Sequence, residues 1–134
     1  DLDEDNDLEI LIGRDSSGNG GMVLAWHHDG SLVSGWPQLT GSSVFDAPVA
    51  GDIDGDGKIE IVAGSDDAKV YAWEVDGTAV SGWPKATALS VKGSPALANL
   101  DGDPELEVII GDFDGNILIW GRDYHQLFLP LVVK

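Results

Sequence analysis

The sequence predicts an all-β fold made of about three repeated units, each a four-stranded antiparallel meander. A short apolar segment that follows an acidic loop occurs three times, beginning at Leu8, Ile59 and Leu106. Tryptophans recur downstream of these segments at intervals of 47 residues, at Trp26, Trp73 and Trp120. The segments between turns are too short and too rich in β-branched residues to be helices. The period is therefore that of a β-repeat protein.

Four strands are predicted in each complete unit. Small residues form the first strand, at residues 47–51 and 94–98, and an apolar run such as residues 60–63 forms the second, which we expect to be buried on both faces. The third strand covers residues 22–26, 69–73 and 116–120 in the three units. Asp-Gly pairs at residues 29–30 and 76–77 predict a tight turn into a fourth segment that ends in Gly-Trp-Pro.

The unit boundaries follow from this assignment. The units span about residues 1–42, 43–85 and 86–125, and a strand-like tail follows at 126–134. The first unit lacks an innermost strand and has four extra residues in the turn at 15–21, which is rich in glycine, serine and asparagine. A four-stranded meander of about 45 to 50 residues is typical of a β-propeller blade. We therefore predict a single propeller segment of about three blades, either part of a larger ring or closed by assembly.

Composition excludes several classes of function. The chain has 134 residues, a formal net charge of −17 and no cysteine, which excludes a disulfide scaffold, a zinc ribbon and a thiol nucleophile. Nucleic acid and anionic membranes are poor partners for such a charge. No apolar stretch approaches the roughly 20 residues of a membrane span. Because the chain begins at Asp1 and shows no signal peptide, we expect a processed product or a piece of a longer protein.

The acidic loops are the predicted chemical sites. Residues 52–60 alternate carboxylates with a glycine at the sixth position, and hard oxygen donors in a tight loop suit Ca²⁺, which takes six to eight oxygens. The predicted ligands are Asp52, Asp54, Asp56 and Glu60, with Lys58 contributing its backbone carbonyl. Acidic turns often only solvate a surface, but here three copies occur in register. The three loops contain six, four and four of the 24 acidic residues, so the excess charge is concentrated where a cation would relieve it.

The other two loops repeat the pattern with changes. The first loop offers Asp1, Asp3, Asp5 and Glu9, with the carbonyl of Asp7, and the third offers Asn99, Asp101, Asp103 and Glu107, with the carbonyl of Glu105. Asn6 tolerates left-handed geometry at the sixth position, whereas Pro104 cannot adopt a positive φ there. We therefore expect the third loop to bind a cation less well than the central loop.

These motifs resemble a known family. The sequence Asp-x-Asp-Gly-Asp-Gly-x-x-Glu-Ile-Val-Ala-Gly at 52–64, with its counterparts at 1–13 and 99–111, is similar to the FG-GAP or VCBS repeat of integrin-alpha-type β-propellers. The likeness extends to about residue 123. It implies that each repeat is a blade with a Ca²⁺ loop, and that the protein is a secreted or cell-surface interaction module. The third unit departs from the family because it lacks the Asp-Gly turn and Gly-Trp-Pro.

Aromatic and histidine residues were candidates for other sites. Trp36 and Trp83 are able to stack on sugar rings, but packing against a neighbouring blade is the favoured interpretation. The three histidines, His27, His28 and His125, do not recur through the repeats, so we expect surface residues rather than a catalytic base. The remaining acids form no recognisable catalytic constellation, and no enzymatic activity is expected.

Two classes of function remain open at this point. The favoured one is a non-enzymatic, Ca²⁺-stabilised module for adhesion, protein interaction or assembly. The alternative is the propeller portion of a Ca²⁺-dependent polysaccharide lyase, or a lectin-like sugar-binding unit, and a quinone-cofactor propeller is a more distant possibility. Since three blades leave edges and faces uncovered, we expect self-association or a protein partner, with extracellular polysaccharide as a further candidate. The tail is expected to be the outer strand of the third blade or the missing inner strand of a first blade.

Overall fold

The computed structural model describes residues 1–15 and 20–122, together with the backbone of residues 129–130. These residues form eleven strands: β1 (Ile10–Arg14), β2 (Met22–Trp26), β3 (Gln38–Leu39), β4 (Val49–Gly51), β5 (Glu60–Ser65), β6 (Lys69–Trp73), β7 (Lys85–Ala86), β8 (Ala96–Ala98), β9 (Glu107–Gly111), β10 (Asn116–Trp120) and β11 (Leu129–Pro130). Among the described residues there is no helix, so the predicted all-β class is confirmed. No helix in that part of the chain could therefore cross a bilayer.

The strands form three antiparallel sheets. Sheet I has the order β1-β2-β3, sheet II the order β4-β5-β6-β7 and sheet III the order β8-β9-β10-β11. Each sheet is a meander, because strands adjacent in sequence pair with each other. Within the described residues, sheet I has no strand equivalent to β4 or β8, as expected. The sheets do not form a closed propeller ring within the described part of the chain.

The strand pairs β1-β2, β5-β6 and β9-β10 match in register across the three sheets. In sheet I, Ile10 is opposite Trp26, and in sheet II the equivalent Ile61 is opposite Trp73. In sheet III, Val108 is opposite Trp120. The repeat read from the sequence is thus a repeat of strand pairing, and each acidic loop lies immediately before the first strand of such a pair, which is β1, β5 or β9.

The fourth strand lies further along the chain than predicted. Leu32 and Ala79 form only isolated bridges after the Asp-Gly turns, and the fourth strands are β3 and β7, which follow Gly-Trp-Pro. The prediction that this segment ends at Gly-Trp-Pro was therefore wrong. Between bridge and strand the backbone turns at Gly35 and Gly82, with φ of 89° and 81°, and each Trp-Pro peptide is cis. These turns interrupt the pairing that a continuous strand would make.

Two apolar clusters join the sheets. Residues of sheets I and II form one cluster, which includes Val23, Ala25, Ile61 and Trp73. Residues of sheets II and III form the other, which includes Val62, Val70, Val108 and Leu118. Strand β5 is buried along its whole length because it has a sheet on either side. It thereby positions the loop that precedes it.

Strand β1 differs from β5 in its environment. Ile10 and Ile12 are 51% and 48% exposed, whereas the equivalent residues of β5, Ile61 and Ala63, are 0% and 1% exposed. The expectation that this segment is buried on both faces is therefore wrong for sheet I. The reason is that, among the described residues, no sheet covers the face carrying Leu8, Ile10 and Ile12.

The tryptophans of Gly-Trp-Pro pack between sheets. Trp36 is buried, meets Trp73 edge-on at a centroid distance of 5.9 Å, and donates its indole N–H to the carbonyl of Val75 at 2.7 Å. Trp83 meets Trp120 in the same way at 6.0 Å. Each thus packs against the next sheet along the chain, as the packing interpretation predicted.

The end of the chain contributes to sheet III. Strand β11 pairs with β10, with Leu129 opposite Ile117 and Pro130 opposite Asn116. Of the two roles foreseen for the tail, the outer strand of the third unit is therefore observed. Residues 16–19 of the lengthened turn at 15–21, and most of the tail, lie outside the described residues.

Candidate metal centre

Each acidic loop is held by carboxylates that accept hydrogen bonds from its own backbone. In the central loop, Asp52 Oδ1 accepts from the N–H of Gly55 at 2.6 Å and its Oδ2 accepts from that of Gly57 at 3.0 Å. Asp54 and Asp56 accept from N–H groups two residues further on, at 3.1 and 2.8 Å. Such turns bend the backbone around its side chains and bring alternate carboxylates to one side of the loop.

The left-handed positions expected in these loops are present. Gly55 and Gly57 have φ of 80° and 86°, and in the first loop Glu4 and Asn6 have φ of 63° and 74°. Asn6 thus adopts the geometry predicted for it and donates its N–H to Asp1 Oδ2 at 3.1 Å. In the third loop Pro104 has no N–H to offer to Asn99, whose side-chain amide instead donates to the carbonyl of Asp103. The third loop is therefore closed differently, as predicted from Pro104.

A buried glutamate ends each loop in the same way. Glu9, Glu60 and Glu107 have side chains that are almost completely buried. The Oε2 atom of each accepts a hydrogen bond from the N–H of the second loop residue: Leu2 at 2.5 Å, Ile53 at 2.8 Å and Leu100 at 2.6 Å. The Oε1 atom of each is buried without a hydrogen-bond partner. A buried carboxylate oxygen without a donor is costly, so three equivalent ones indicate a missing partner.

Two further carboxylates converge on this glutamate in every loop. Three groups of three carboxylate residues each bring one ligand oxygen per residue to within 4.8 Å of the others. These groups are Asp1, Asp3 and Glu9; Asp52, Asp54 and Glu60; and Asp101, Asp103 and Glu107. Asp5 belongs to a further group with Asp3 and His27. The residues present thus suit a hard dication.

Some predicted ligands lie apart from these groups. Asp56 is turned toward Lys58: its Oδ1 accepts from the Lys58 N–H, and its Oδ2 lies 3.4 Å from Lys58 Nζ. The side chain of Glu105 pairs with Arg122 at 3.3 Å and lies against Gly55 of the central loop. Asp7 and Lys58, whose carbonyls were the predicted ligands, both have exposed side chains.

Burial and mutual repulsion alter the acidity of the central loop. Burial, reinforced by the nearby Asp54, Glu74 and Asp52 carboxylates, raises the pKa of Glu60 to about 7, and the Ile53 N–H opposes this shift only in part. The pKa of Glu74 is also raised, mainly by burial and then by Asp54 and Asp56. Without a cation, the loop thus holds negative charge at a free-energy cost.

Sequence reasoning missed the residue that follows the tryptophan at the end of β2, β6 and β10. His27, Glu74 and Gly121 occupy equivalent positions, and each lies beside the acidic loop of its own sheet. His27 Nδ1 is 3.5 Å from Glu9 Oε1 and 3.6 Å from Asp3 Oδ2. A Cβ atom on Gly121 would lie 2.8 Å from Glu107 Oε1. The regular tryptophan spacing shows that these three residues are equivalent. Because their residue types differ, the sequence did not mark them as part of a repeated site.

The other histidines and acids have different surroundings. His28 is exposed, as expected, and its Nδ1 lies 3.4 Å from Asp7 Oδ2, whereas His125 lies outside the described residues. Asp67 accepts a hydrogen bond from the Tyr71 hydroxyl at 2.6 Å, and burial together with this bond raises the pKa of Tyr71 to about 12. Asp112 accepts hydrogen bonds within its own turn from Asp114 and Asn116. These contacts are structural.

The fold and the loops together define an all-β repeat protein whose acidic loops are competent to bind a cation. Residues 1–63 match the family model described as the FG-GAP-like repeat. This match covers sheet I and the first two acidic loops, and it supports the FG-GAP-type repeat family that the sequence motifs indicated. The comparison with curated proteins found no match.

Proposed function

We propose that the protein is a non-enzymatic, calcium-binding extracellular module that acts in adhesion, protein interaction or assembly. The observation that supports calcium binding best is the buried, unpartnered Oε1 atom of Glu9, Glu60 and Glu107. Each of these glutamates also belongs to a group of three carboxylates whose ligand atoms converge. A bound Ca²⁺ would supply the positive charge that these oxygens lack and would link the start of the loop to the strand that follows it.

The proposed role as an interaction module rests on the fold and on what the chain leaves exposed. The FG-GAP repeat suggests a β-propeller-type module, and by resemblance such modules are extracellular. The uncovered face of β1 offers Leu8, Ile10 and Ile12 to a further sheet, whether from the same protein, another copy or a partner. The absence of a recurrent base or nucleophile beside the loops favours binding rather than catalysis.

A carbohydrate-binding role is the second candidate, and Trp83 favours it. Unlike Trp36, Trp83 is only half-buried, and it lines a cleft with Trp120, Lys85 and Arg122. Aromatic faces beside polar donors suit sugar rings. A glycan array probed with calcium-loaded and chelated protein distinguishes the two candidates: retention of a glycan only by the loaded protein supports the sugar-binding function, and no retention favours the protein-interaction module.

The ranking of the loops gives a prediction for single-site variants. We expect Asp54→Ala to remove more calcium binding than Asp101→Ala, because Gly57 permits the turn that Pro104 resists. Isothermal titration of the two variants against Ca²⁺ measures this, and Asp46→Ala, an exposed residue outside the loops, is the control. Equal losses in the two loop variants would contradict the ranking, and normal titrations in both would contradict calcium binding at the loops.

A further inference from the structure

The residue that follows the tryptophan at the end of β2, β6 and β10 differs in type between the sheets, although the acidic loop beside it keeps its pattern. It is His27 in sheet I, Glu74 in sheet II and Gly121 in sheet III. In sheet I, His27 Nδ1 lies 3.5 Å from the unpartnered glutamate oxygen, and in sheet III a Cβ atom on Gly121 would lie 2.8 Å from it. In sheet II, Glu74 is close enough to Asp54 and Asp56 for their charges to raise its pKa. A side chain at this position therefore lies beside the loop, and in sheet I it is one that can bind a metal.

Among the residues that the structure describes, only the first loop has a histidine nitrogen within reach. His27 Nδ1 lies 3.5 Å from Glu9 Oε1 and 3.6 Å from Asp3 Oδ2. A carboxylate oxygen of Asp5 also lies within 4.8 Å of His27 and Asp3. The imidazole comes from the end of β2, whereas Asp3 and Glu9 come from the loop and its exit. Two different segments of the chain thus converge on one point.

The geometry differs from that of an ordinary hydrogen bond. Both distances from His27 Nδ1 exceed the usual N–H···O range of about 2.7 to 3.2 Å. They are near the separation of roughly 3.3 Å between two ligands held tetrahedrally at 2.0 to 2.1 Å from Zn²⁺, and equally near that of two adjacent ligands about 2.4 Å from Ca²⁺. The spacing therefore fits a bound dication, and the nitrogen ligand decides which kind. The Glu9 side chain is 1% exposed, and its Oε1 has no hydrogen-bond partner. A protonated imidazole would form an ion pair with the carboxylate at this distance, and a small dication held between a neutral imidazole and the same oxygen fits the same spacing.

We propose that the first loop is a mixed nitrogen and oxygen site that prefers a transition-metal dication of the Zn²⁺ type, with His27, Glu9 and Asp3 as ligands. Imidazole favours such ions, whereas carboxylate and carbonyl oxygens favour Ca²⁺ and Mg²⁺. Among the described residues, the ligand groups of the central and third loops contain no histidine, so these loops remain oxygen sites. This inference rests on the proposed function, since it takes the loops to bind cations, and it refines the calcium assignment at the first loop, which takes a transition-metal dication in preference to Ca²⁺.

Cobalt absorption spectroscopy tests the proposal directly. Co²⁺ serves as the coloured probe for the Zn²⁺ site in the tag-free 134-residue chain, with Ca²⁺ in excess to occupy the oxygen sites. We expect one equivalent of Co²⁺ to give visible ligand-field bands that Zn²⁺ abolishes by displacement. His27→Glu, which gives the first loop the residue type of sheet II, should lose at least about tenfold in Co²⁺ affinity, since even changes beyond the direct ligands cost roughly 10- to 100-fold. His28→Gln is the matched control and should bind Co²⁺ as the unaltered chain does.

Two measurements separate this inference from the proposed function. Ca²⁺ should still raise the melting temperature of His27→Glu, because the central loop is unaltered. A cooperative melting curve also shows that the variant folds. Co²⁺ spectra that are absent, or unchanged in His27→Glu, would overturn the transition-metal site, and the calcium proposal would stand if Ca²⁺ still raised the melting temperature. Spectra lost in His28→Gln but kept in His27→Glu would also overturn it. If Co²⁺ gave no ligand-field bands and Ca²⁺ did not raise the melting temperature, both proposals would be wrong.

Discussion

Replacing Glu60 with glutamine should change stability in opposite directions with and without calcium. In the calcium-free protein at pH 8, the substitution removes a buried charge while glutamine keeps an oxygen that can accept from the Ile53 N–H. We therefore expect stabilisation of up to about 3 kcal/mol, the free energy equivalent of raising the pKa from 4.5 to about 7. In calcium, the variant should instead be the less stable protein, because it loses a ligand oxygen. Melting curves with EDTA and with Ca²⁺ measure both effects.

Glu74→Gln is the matched control for this experiment. Its carboxylate also has a raised pKa beside the central loop, but it is not one of the converging ligands. Glu74→Gln should stabilise the calcium-free protein and keep the calcium-dependent gain. If Glu60→Gln kept that gain as well, Glu60 would not be a ligand.

The raised pKa of Glu60 also fixes the direction of a pH dependence. The folded, calcium-free protein holds this proton more tightly than the unfolded chain does, so the contribution of Glu60 is fully present below about pH 4.5. It is lost as the pH rises through about 7. Relative to Glu60→Gln, the unaltered protein in EDTA should therefore lose stability between these values, and a constant difference would contradict the raised pKa.

Replacing Ile10 and Ile12 with lysine should abolish self-association of the isolated chain. Their face on β1 is about half-exposed, whereas the equivalent face of β5 is covered by sheet I. We expect the unaltered, calcium-loaded chain to form dimers or larger assemblies at micromolar concentration, because burying such a face is favourable. Light scattering after size-exclusion chromatography should show a monomer for Ile10→Lys/Ile12→Lys.

Phe113→Lys is the control for the assembly experiment. Phe113 is also exposed, but it lies in the turn between β9 and β10 of sheet III and not on the uncovered face of sheet I. This variant should associate as the unaltered chain does. A well-folded, calcium-loaded monomer of the unaltered chain would show that the exposed face does not drive assembly.

The parts of the fold that repeat could be predicted from the sequence. Strands β2, β6 and β10 begin and end where the tryptophan spacing placed them, because alternating apolar residues and a fixed period constrain register strongly. The fourth strands were misplaced, since β3 and β7 have two residues each and carry little pattern of their own. Burial of β1 was misjudged because its apolar sequence resembles that of β5, and only the arrangement of sheets distinguishes the two.

The candidate site was predictable within the loops and not beyond them. Alternating carboxylates identified Asp52, Asp54 and Glu60 as a group, because their spacing alone determines the loop chemistry. His27 was missed because it approaches the loop from the end of β2, which local spacing does not show. The orientation of Asp56 toward Lys58 was equally hidden, since it depends on a local ion pair.

Calcium-dependent melting of the unaltered chain tests the central claim most directly. Sites with dissociation constants of roughly 10⁻⁴ to 10⁻³ M are typical of extracellular calcium modules. At 10 mM Ca²⁺ each such site would contribute between about 1.4 and 2.7 kcal/mol by mass action. For a chain of this size, we expect adding EDTA to the loaded protein to lower the melting temperature by at least roughly 5 °C. A melting curve unchanged by EDTA would contradict the account that the acidic loops bind calcium.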